Sequence, residues 1–430
     1  MMLEVSVMLL QFSVENFMSF QGKVILSMIP GSGQELVDNI ADIGKERSLK
    51  TVVLYGANAS GKTNIVKAFT SAIMMLRQST NMQMGQLLNW IVPFKMDSKS
   101  ATKPSSFEFL FETNGTKYLY GFSATDKQIE EEYLYAYYSA KRSKIFERSN
   151  INEYIFVADK RELEALAKKN NSNKLFLATA TSWNYKKTKE PFLWFAEMID
   201  TFDYRINPDF NAFIHDDTDE LRTFVKGLFC VADLNINDYK VEEIDLPKEQ
   251  IDAMSRDPVL SEILKVVNIH LPSKAVSVAI SHSIVKEGKR ETYLLKLEEE
   301  SLGTQKMFFM STYLKKAFES GKTIIVDELD SSLHPLLIEA IVNMFHNPLI
   351  NKCNAQLIFI THNVNLLDLD FFRRDQIYFT EKDPATLSSD LYSLDEFKSP
   401  VRKSENVRKG YLQGRYGAIP FIGRGETLWG

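Results

Sequence analysis

Residues 51–63, TVVLYGANASGKT, decide how this chain is read. Thr51 to Tyr55 form a continuous run with none of the alternation of a half-exposed strand, which marks a strand covered on both faces. The run stops at Gly56. After it, KTNIVKAFTSAIMMLRQ places Ile65, Val66, Phe69, Ile73, Met74 and Leu76 at helical spacing. A buried strand that turns through glycines into a helix is the context in which G-x-x-x-x-G-K-[ST] carries meaning, and Gly56 to Thr63 fits that pattern in full. Each part has a physical task. Glycine lets backbone N–H groups curl towards phosphate oxygens, the helix N-terminus adds a favourable dipole, Lys62 reaches the β and γ phosphates, and Thr63 ligates Mg²⁺. Asn58, Ser60, Gly61 and Asn64 complete the expected ATP-binding set. The competing reading, a glycine-rich turn with a chance lysine, leaves the strand and helix flanks unexplained.

Composition sets the frame around that stretch. The chain has 430 residues, a quarter of them charged, which suits a globular protein of one large or two medium domains. A formal net charge of -5 excludes a protein that coats nucleic acid by bulk electrostatics and leaves only local contacts with DNA or RNA. Cys230 and Cys353 are far apart and lack neighbouring histidines, so neither a disulfide framework nor a zinc site is expected. The start is apolar but carries Glu4 where a leader would be basic, and no run reaches the roughly 18 apolar residues of a membrane span. A cytoplasmic protein with no membrane partner is the expectation.

Four regions follow from the patterning. Residues 1–158 read as an N-terminal lobe. In it, two antiparallel strands over 8–28 precede the glycine loop, and alternating apolar stretches from Phe107 to Phe146, with a turn at Asn114-Gly115, make an antiparallel sheet. Residues 159–270 read as a helical insert built from DKRELEALAKKNN, PFLWFAEMIDTF and SEILKVVNIH. Residues 271–400 return to strands and then to strand, helix, strand in TIIVDE, PLLIEAIVNMFHN and QLIFITHN, with Pro335 at a first helical turn. Residues 401–430 form a basic, glycine-rich tail that either docks a partner or nucleic acid or is a solubilising extension. The predicted fold class is α/β, with a mixed-sheet core, an antiparallel β-subdomain and a helical insert.

Three further stretches carry chemistry. In TIIVDELDSSLHP, residues 323–335, an apolar strand ends in two carboxylates with separable jobs. Asp327 holds Mg²⁺ through water and Glu328 polarises the water that attacks the γ-phosphate, unless the pair only caps a helix. In EEESLGTQKMFFMSTYLKKAF, Ser301, Gly303 and Gln305 stand at the start of a helix whose Met307, Met310, Leu314, Ala317 and Phe318 share a face. That start is either a second phosphate-binding surface or an ordinary N-cap. Thr361 and His362 close another buried strand, where the histidine is either structural or a γ-phosphate contact.

Taken together, the phosphate loop, S-x-G-x-Q, the strand ending in Asp-Glu, LDSSLHP and the strand-end histidine resemble the nucleotide-binding head of ABC-type ATPases of the RecF and SMC kind. The resemblance implies that Ser301 and Gly303 act across a dimer interface on the partner's ATP. It also implies that Leu329 to His334 join the two sites and that His362 is the switch histidine. The signature departs from the usual L-S-G-G-Q, since Leu302 replaces the first glycine and Thr304 follows the second. FSVENFMSF near the start, RRDQIYFTEKD at 373–383 and YLQGRYGAIPF at 411–421 are similar to ATPases of the RloA and AbiL type, related to the ATPase halves of anti-phage systems. That likeness implies a homodimer or higher oligomer around ATP and a separately encoded effector, such as a Toprim-type nuclease. A glutamine loop is expected in such heads, and LFLATATSWN, with Ser182 in place of the glutamine, is the candidate.

Competing classes leave weaker traces. A GTPase needs N-K-x-D, and NKCN at 351–354 lacks the aspartate. Asp368-Leu369-Asp370 imitates the D-x-D of a Toprim nuclease, but about sixty residues after it are too few for that domain. A slow scaffold that binds ATP to hold a toxin or nuclease, and an SMC- or RecF-like DNA-maintenance ATPase, use the same residues.

Overall fold

A computed structural model describes residues 7–202, 218–252, 274–397 and 405–420, save isolated positions, together with Phe213 and Arg256. The chain divides into two compact units, residues 1–202 with 316–430, and residues 203–315. The expected boundaries at 158/159 and 270/271 thus differ from the contact-defined ones.

The first unit is organised around β5 (Thr51–Gly56), every residue of which is buried. It lies inside a six-stranded sheet ordered β11 (Ile199–Phe202), β15 (Thr323–Val326), β16 (Gln356–Ile360), β5, β17 (Ile377–Lys382), β18 (Ser389–Ser393). All neighbours are parallel except β17 and β18. Parallel strands covered on both faces need apolar residues throughout, which is why TIIV and QLIFI are buried at every position.

A seven-stranded antiparallel sheet packs in the same unit, ordered β10 (Glu153–Ile155), β9 (Ser143–Ser149), β8 (Ile129–Tyr137), β7 (Thr116–Ala124), β6 (Ser105–Thr113), β1 (Val7–Glu15), β2 (Val24–Ser27). Asn114 and Gly115, at φ 50° and 73°, make the tight turn between β6 and β7 that their sequence signals. Helix α1 (Lys62–Gln78) lies in the same core, with Phe69 stacked on Phe12 of β1 at 3.9 Å. Its buried face uses Met75 where the spacing predicts Met74, which is only partly covered. One side chain ties the sheets together. Gln356 at the start of β16 accepts from the Leu9 amide at 2.7 Å and donates to the Leu9 and Leu49 carbonyls at 3.0 Å each.

The stretch 159–202 is helical only in part. Helices α2 (Lys160–Ala167), α3 (Phe176–Ser182) and α4 (Lys186–Leu193) are present. PFLWFAEMIDTF, expected as one helix, instead ends α4, makes a π-turn at Trp194–Met198 and becomes β11. Burial explains the change: Trp194 stacks on Phe111 at 4.2 Å, and Ile199 to Phe202 complete the parallel sheet against β15. The helix expected over SEILKVVNIH lies outside the described residues.

The second unit holds α5 (Asp219–Val231), capped by Thr218, whose hydroxyl accepts from the Leu221 amide at 3.2 Å. It also holds a three-stranded antiparallel sheet of β12 (Asp238–Asp245), β13 (Lys274–Lys286) and β14 (Lys289–Lys296). Within it, Phe213 stacks on Phe308 at 4.1 Å. Helix α6 (Leu302–Ser320) begins in this unit, and the apolar face expected for it is buried. In the first unit, α7 (Pro335–His346) starts at the proline, as its first-turn position predicts.

Candidate nucleotide site

The phosphate loop bridges β5 and α1, and each of its ends is pinned by a neighbour. A Cβ on Gly56 would lie 2.5 Å from the Thr380 carbonyl of β17, so only glycine lets the two strand ends approach this closely. Gly61 has φ 116°, and a Cβ there would meet Ser389 Oγ at 2.6 Å and Ser19 Oγ at 2.9 Å. Ser60 Oγ shares a 2.6 Å hydrogen bond with Thr380 Oγ1, and Asn64 Nδ2 donates to Ser19 Oγ at 2.7 Å. Asn58 lies exposed at the loop's crest. Hydroxyls of two separate segments, Ser19 and Thr380, thus bond the loop region from outside, and Ser389 lies close against Gly61.

Lys62 reaches back into the loop. Its Nζ donates to the Gly56 carbonyl at 2.8 Å and to that of Ala57 at 2.9 Å. Burial pulls the Lys62 pKa below its ordinary value, and the charges of Asp327, Glu328 and Asp330 pull it back up. A desolvated ammonium is a strong acceptor of negative charge, so a phosphate chain in the loop would offset its burial cost.

The acidic pair is carried to the same place by β15. Thr63 Oγ1 donates to Asp327 Oδ1 at 3.4 Å, a hydroxyl and a carboxylate turned to one point from segments 264 residues apart. This donor set fits Mg²⁺, a hard cation that takes oxygen ligands and keeps several waters. The chain then turns sharply. Glu328 has φ 47°, the left-handed region in which a non-glycine residue is strained, and the Ser331 amide donates to its carbonyl at 3.0 Å. Both carboxylates are partly buried.

His362 follows β16, the strand between β15 and β5. Its side chain is exposed, and its backbone N–H donates to Asp330 Oδ2 at 2.8 Å. The Leu329 amide donates to the Ile360 carbonyl at 2.9 Å, so LDSSLHP is fastened to the histidine loop at two points. His334 at the end of that stretch caps α7, its ring accepting from the Leu336 amide at 3.3 Å.

Ser301, Gly303 and Gln305 sit in the second unit at the head of α6. Ser301 Oγ accepts from the Thr304 amide at 3.1 Å, the geometry of an N-cap, and Gln305 Nε2 donates to the Glu300 carbonyl at 2.9 Å. The serine and Leu302 are exposed.

Other expected features take structural roles. Ser182 closes α3 and donates to the Thr179 carbonyl at 2.8 Å, while Glu132 binds the Phe176 and Leu177 amides at the other end of that helix. LFLATATSWN is therefore a helix pinned to the antiparallel sheet. Asp368 Oδ1 accepts from the Asp370 amide at 2.9 Å, so the D-x-D string forms a turn. Within 401–430, expected either to dock a partner or nucleic acid or to be a solubilising extension, the described segment 405–418 is packed: Val407, Tyr411, Tyr416 and Ala418 are all at most 6% exposed. Its aromatic residues, which the count of basic residues and glycines obscured, hold it down.

Ser19, Thr380 and Ser389 were missed as site residues. Two of them do lie in stretches singled out by resemblance, FSVENFMSF and RRDQIYFTEKD. Those two stretches, together with YLQGRYGAIPF, converge on the phosphate loop: Ser19 flanks Gly61, Thr380 binds Ser60, and Tyr411 packs 6.0 Å from Tyr55.

The fold and site define an α/β protein with a glycine-rich phosphate loop on the central strand of a mainly parallel sheet. The chain belongs to the family described as "AAA domain, putative AbiEii toxin, Type IV TA system", whose profile matches residues 52–368. It is also similar to the solved SMC head bound to the C-winged helix domain of ScpA, with 13% identity over 90% of this chain and 97% of that one and a TM-score of 0.41. An SMC head domain from Thermotoga maritima matches with 12% identity, over 90% of this chain and 98% of that one, and a TM-score of 0.39. No curated protein matches the chain. Among the described residues no helix is long and apolar enough to cross a membrane.

Proposed function

We propose that this chain is an ATP-hydrolysing switch of the ABC head type, in which two copies close around two ATP molecules and hydrolysis parts them. The observation that carries the reading is the meeting of Thr63 with Asp327 at 3.4 Å, with Lys62 drawn into the loop by the Gly56 and Ala57 carbonyls. Gly56, Asn58, Ser60, Gly61, Lys62, Thr63 and Asn64 bind the phosphates, and Thr63 with Asp327 holds Mg²⁺. The ion would draw charge off the phosphate oxygens as the bond breaks. Glu328 orients and polarises the attacking water, and His362, on the loop fastened to Asp330, contacts the γ-phosphate.

Ser301, Gly303 and Gln305 close the partner's site. An exposed serine at a helix N-terminus can exchange its capping bond for a phosphate oxygen at little cost, because the orphan amides of the first turn also favour an anion. ATP is then part of the interface. The family description names a toxin and a type IV TA system, which suits a chain that acts with a partner. The likeness of FSVENFMSF, RRDQIYFTEKD and YLQGRYGAIPF to the RloA and AbiL type supports an anti-phage role in which a separately encoded effector reads the closed and open states. A cytoplasmic location suits that role.

Two substitutions test the chemistry. Glu328→Gln is expected to bind ATP as the wild type does while turnover falls about a hundredfold or more, the scale of a lost general base. Lys62→Ala is expected to lose nucleotide binding. Wild-type turnover in Glu328→Gln, measured as phosphate release, would overturn the assignment.

A further inference from the structure

Tyr55 is the last residue before the phosphate loop and is 1% exposed, yet it carries a hydroxyl where phenylalanine would fill the same space. A buried hydroxyl is costly unless it is bonded, so its partner explains its presence. That partner is the Asn363 carbonyl at 3.1 Å, one residue beyond His362. Burial and the neighbouring Asp330 and Tyr411 raise its pKa well above the ordinary value, which keeps the phenol protonated as a donor.

On the other side, Tyr55 meets the C-terminal segment. The Tyr411 ring, on α8 (Val407–Leu412), lies 6.0 Å from that of Tyr55 and stacks on Phe379 of β17 at 5.4 Å. The Tyr411 hydroxyl donates to the Ala418 carbonyl at 3.2 Å and so closes the segment on itself. The segment is fastened to the sheet through Tyr392, which donates to the Tyr416 carbonyl at 2.9 Å, and through the Ala418 amide, which donates to Glu381 Oε1 at 3.2 Å.

The histidine loop at the far end of this chain of contacts is incompletely satisfied. Asp330 Oδ1 and Asn363 Nδ2, a buried acceptor and a buried donor on the two loops joined by the His362–Asp330 bond, have no hydrogen-bond partner. Native interiors leave few such groups, and those left over mark places that rearrange or receive a ligand or water.

We propose that Tyr55 and Tyr411 are positioning residues that couple the C-terminal segment and the His362 loop to the phosphate loop, so that loading of the loop is felt at the histidine. The proposal rests on the nucleotide reading above. Tyr55 links the phosphate loop to the histidine loop through one hydroxyl, and Tyr411 supports Tyr55 from behind. Neither touches the reacting atoms.

The test separates binding from turnover. Tyr55→Phe keeps the ring and removes only the bond to Asn363, so the affinity for a non-hydrolysable ATP analogue should stay within twofold and the melting temperature should change little. The kcat should fall at least fivefold. Tyr411→Ala opens space beneath the loop and should weaken analogue binding at least fivefold. Tyr154→Phe, which removes a hydroxyl that accepts from Asn170 Nδ2 at 2.9 Å on the edge strand β10, should leave affinity and kcat as in the wild type. Wild-type kcat in Tyr55→Phe overturns the coupling even if Tyr411→Ala proves unfolded. Equal losses in Tyr55→Phe and Tyr154→Phe would reduce it to general packing. If Lys62→Ala binds the analogue as well as the wild type, the nucleotide reading itself fails. If Lys62→Ala and Glu328→Gln behave as expected and Tyr55→Phe is silent, only the coupling fails.

Discussion

Thr51, at the base of β5, holds a buried histidine: its Oγ1 accepts from Gln376 Nε2 at 2.6 Å and shares a 2.7 Å hydrogen bond with His346 Nε2. Burial, with a contribution from the Lys50 charge, lowers the His346 pKa to about 3. The unfolded chain therefore binds a proton at this histidine between about pH 6.5 and pH 3 while the folded chain does not. This contribution to stability is complete above pH 6.5 and is lost as pH falls, by about 1.4 kcal/mol per pH unit. His346→Gln should flatten that part of the denaturation profile between pH 6 and pH 4, and an unchanged slope would contradict the assignment. Gly61 is a second residue whose substitution has a definite sign. A methyl there meets Ser389 and Ser19 in a backbone of φ 116°, so Gly61→Ala should cost on the order of 1–3 kcal/mol and lose nucleotide, as thermal melts with and without ATP would report. At this scale the sequence is most readable where a motif is local. Lys62, Thr63, Asp327 and Glu328, which the structure brings to one place, were legible because each belongs to a contiguous motif. Ser19, Thr380 and Ser389 were not, because they reach the loop only once the turn after β1 and the strands β17 and β18 are assembled around it, and no spacing encodes that.

Among the elements, α3 shows how a charge can be structural. Glu132 of β8 and Arg148 of β9 both have fully buried side chains, 3.7 Å apart. Glu132 also accepts from the Phe176 and Leu177 amides at 2.5 and 2.9 Å, which satisfies the first turn of the helix, and from the Tyr120 hydroxyl at 3.0 Å. Burial raises its pKa, and Arg148 and these donors oppose the shift. Glu132→Ala would leave the buried Arg148 without its counter-charge, though still bonded to carbonyls, and strand three donors, so it should destabilise the protein by about 3–5 kcal/mol in a chemical denaturation, with Glu132→Gln losing less. In QIEEEYLYAYY nothing distinguishes Glu132 from exposed Glu131, and the role was invisible before the sheet was assembled. The strands themselves were readable by their runs and turns, as at TVVLYG and Asn114-Gly115. β11 was not, because Phe192, Trp194 and Phe195 give PFLWFAEMIDTF a helical period that continues past the point where Ile199 joins β15.

Across the whole molecule, the parallel sheet brings together stretches that the sequence holds far apart. β5 lies between β16 and β17, so the phosphate loop, the Asp-Glu turn and the histidine loop emerge at neighbouring strand ends. Such a crevice is where α/β sheets bind ligands. The order of motifs forecast this meeting. The packed C-terminal segment was not forecast, since a list of basic residues and glycines describes solubility and says nothing of where Tyr411 and Tyr416 lodge. The second unit carries Ser301, Gly303 and Gln305, and the account gives them their task in a second copy of the chain. Ser301→Arg should therefore leave ATP binding by a single head near wild type and abolish ATP-driven association. The same substitution should lower turnover about as strongly as Glu328→Gln, because in the proposed pairing each site needs its partner's serine.

Light scattering after gel filtration tests that claim most directly. Glu328→Gln with ATP and Mg²⁺ should run as a dimer or higher oligomer that reverts to a smaller species when Ser301→Arg is added in the same chain or ATP is withheld. A single mass, the same with and without ATP in both proteins, would contradict an ATP-bridged pair of heads.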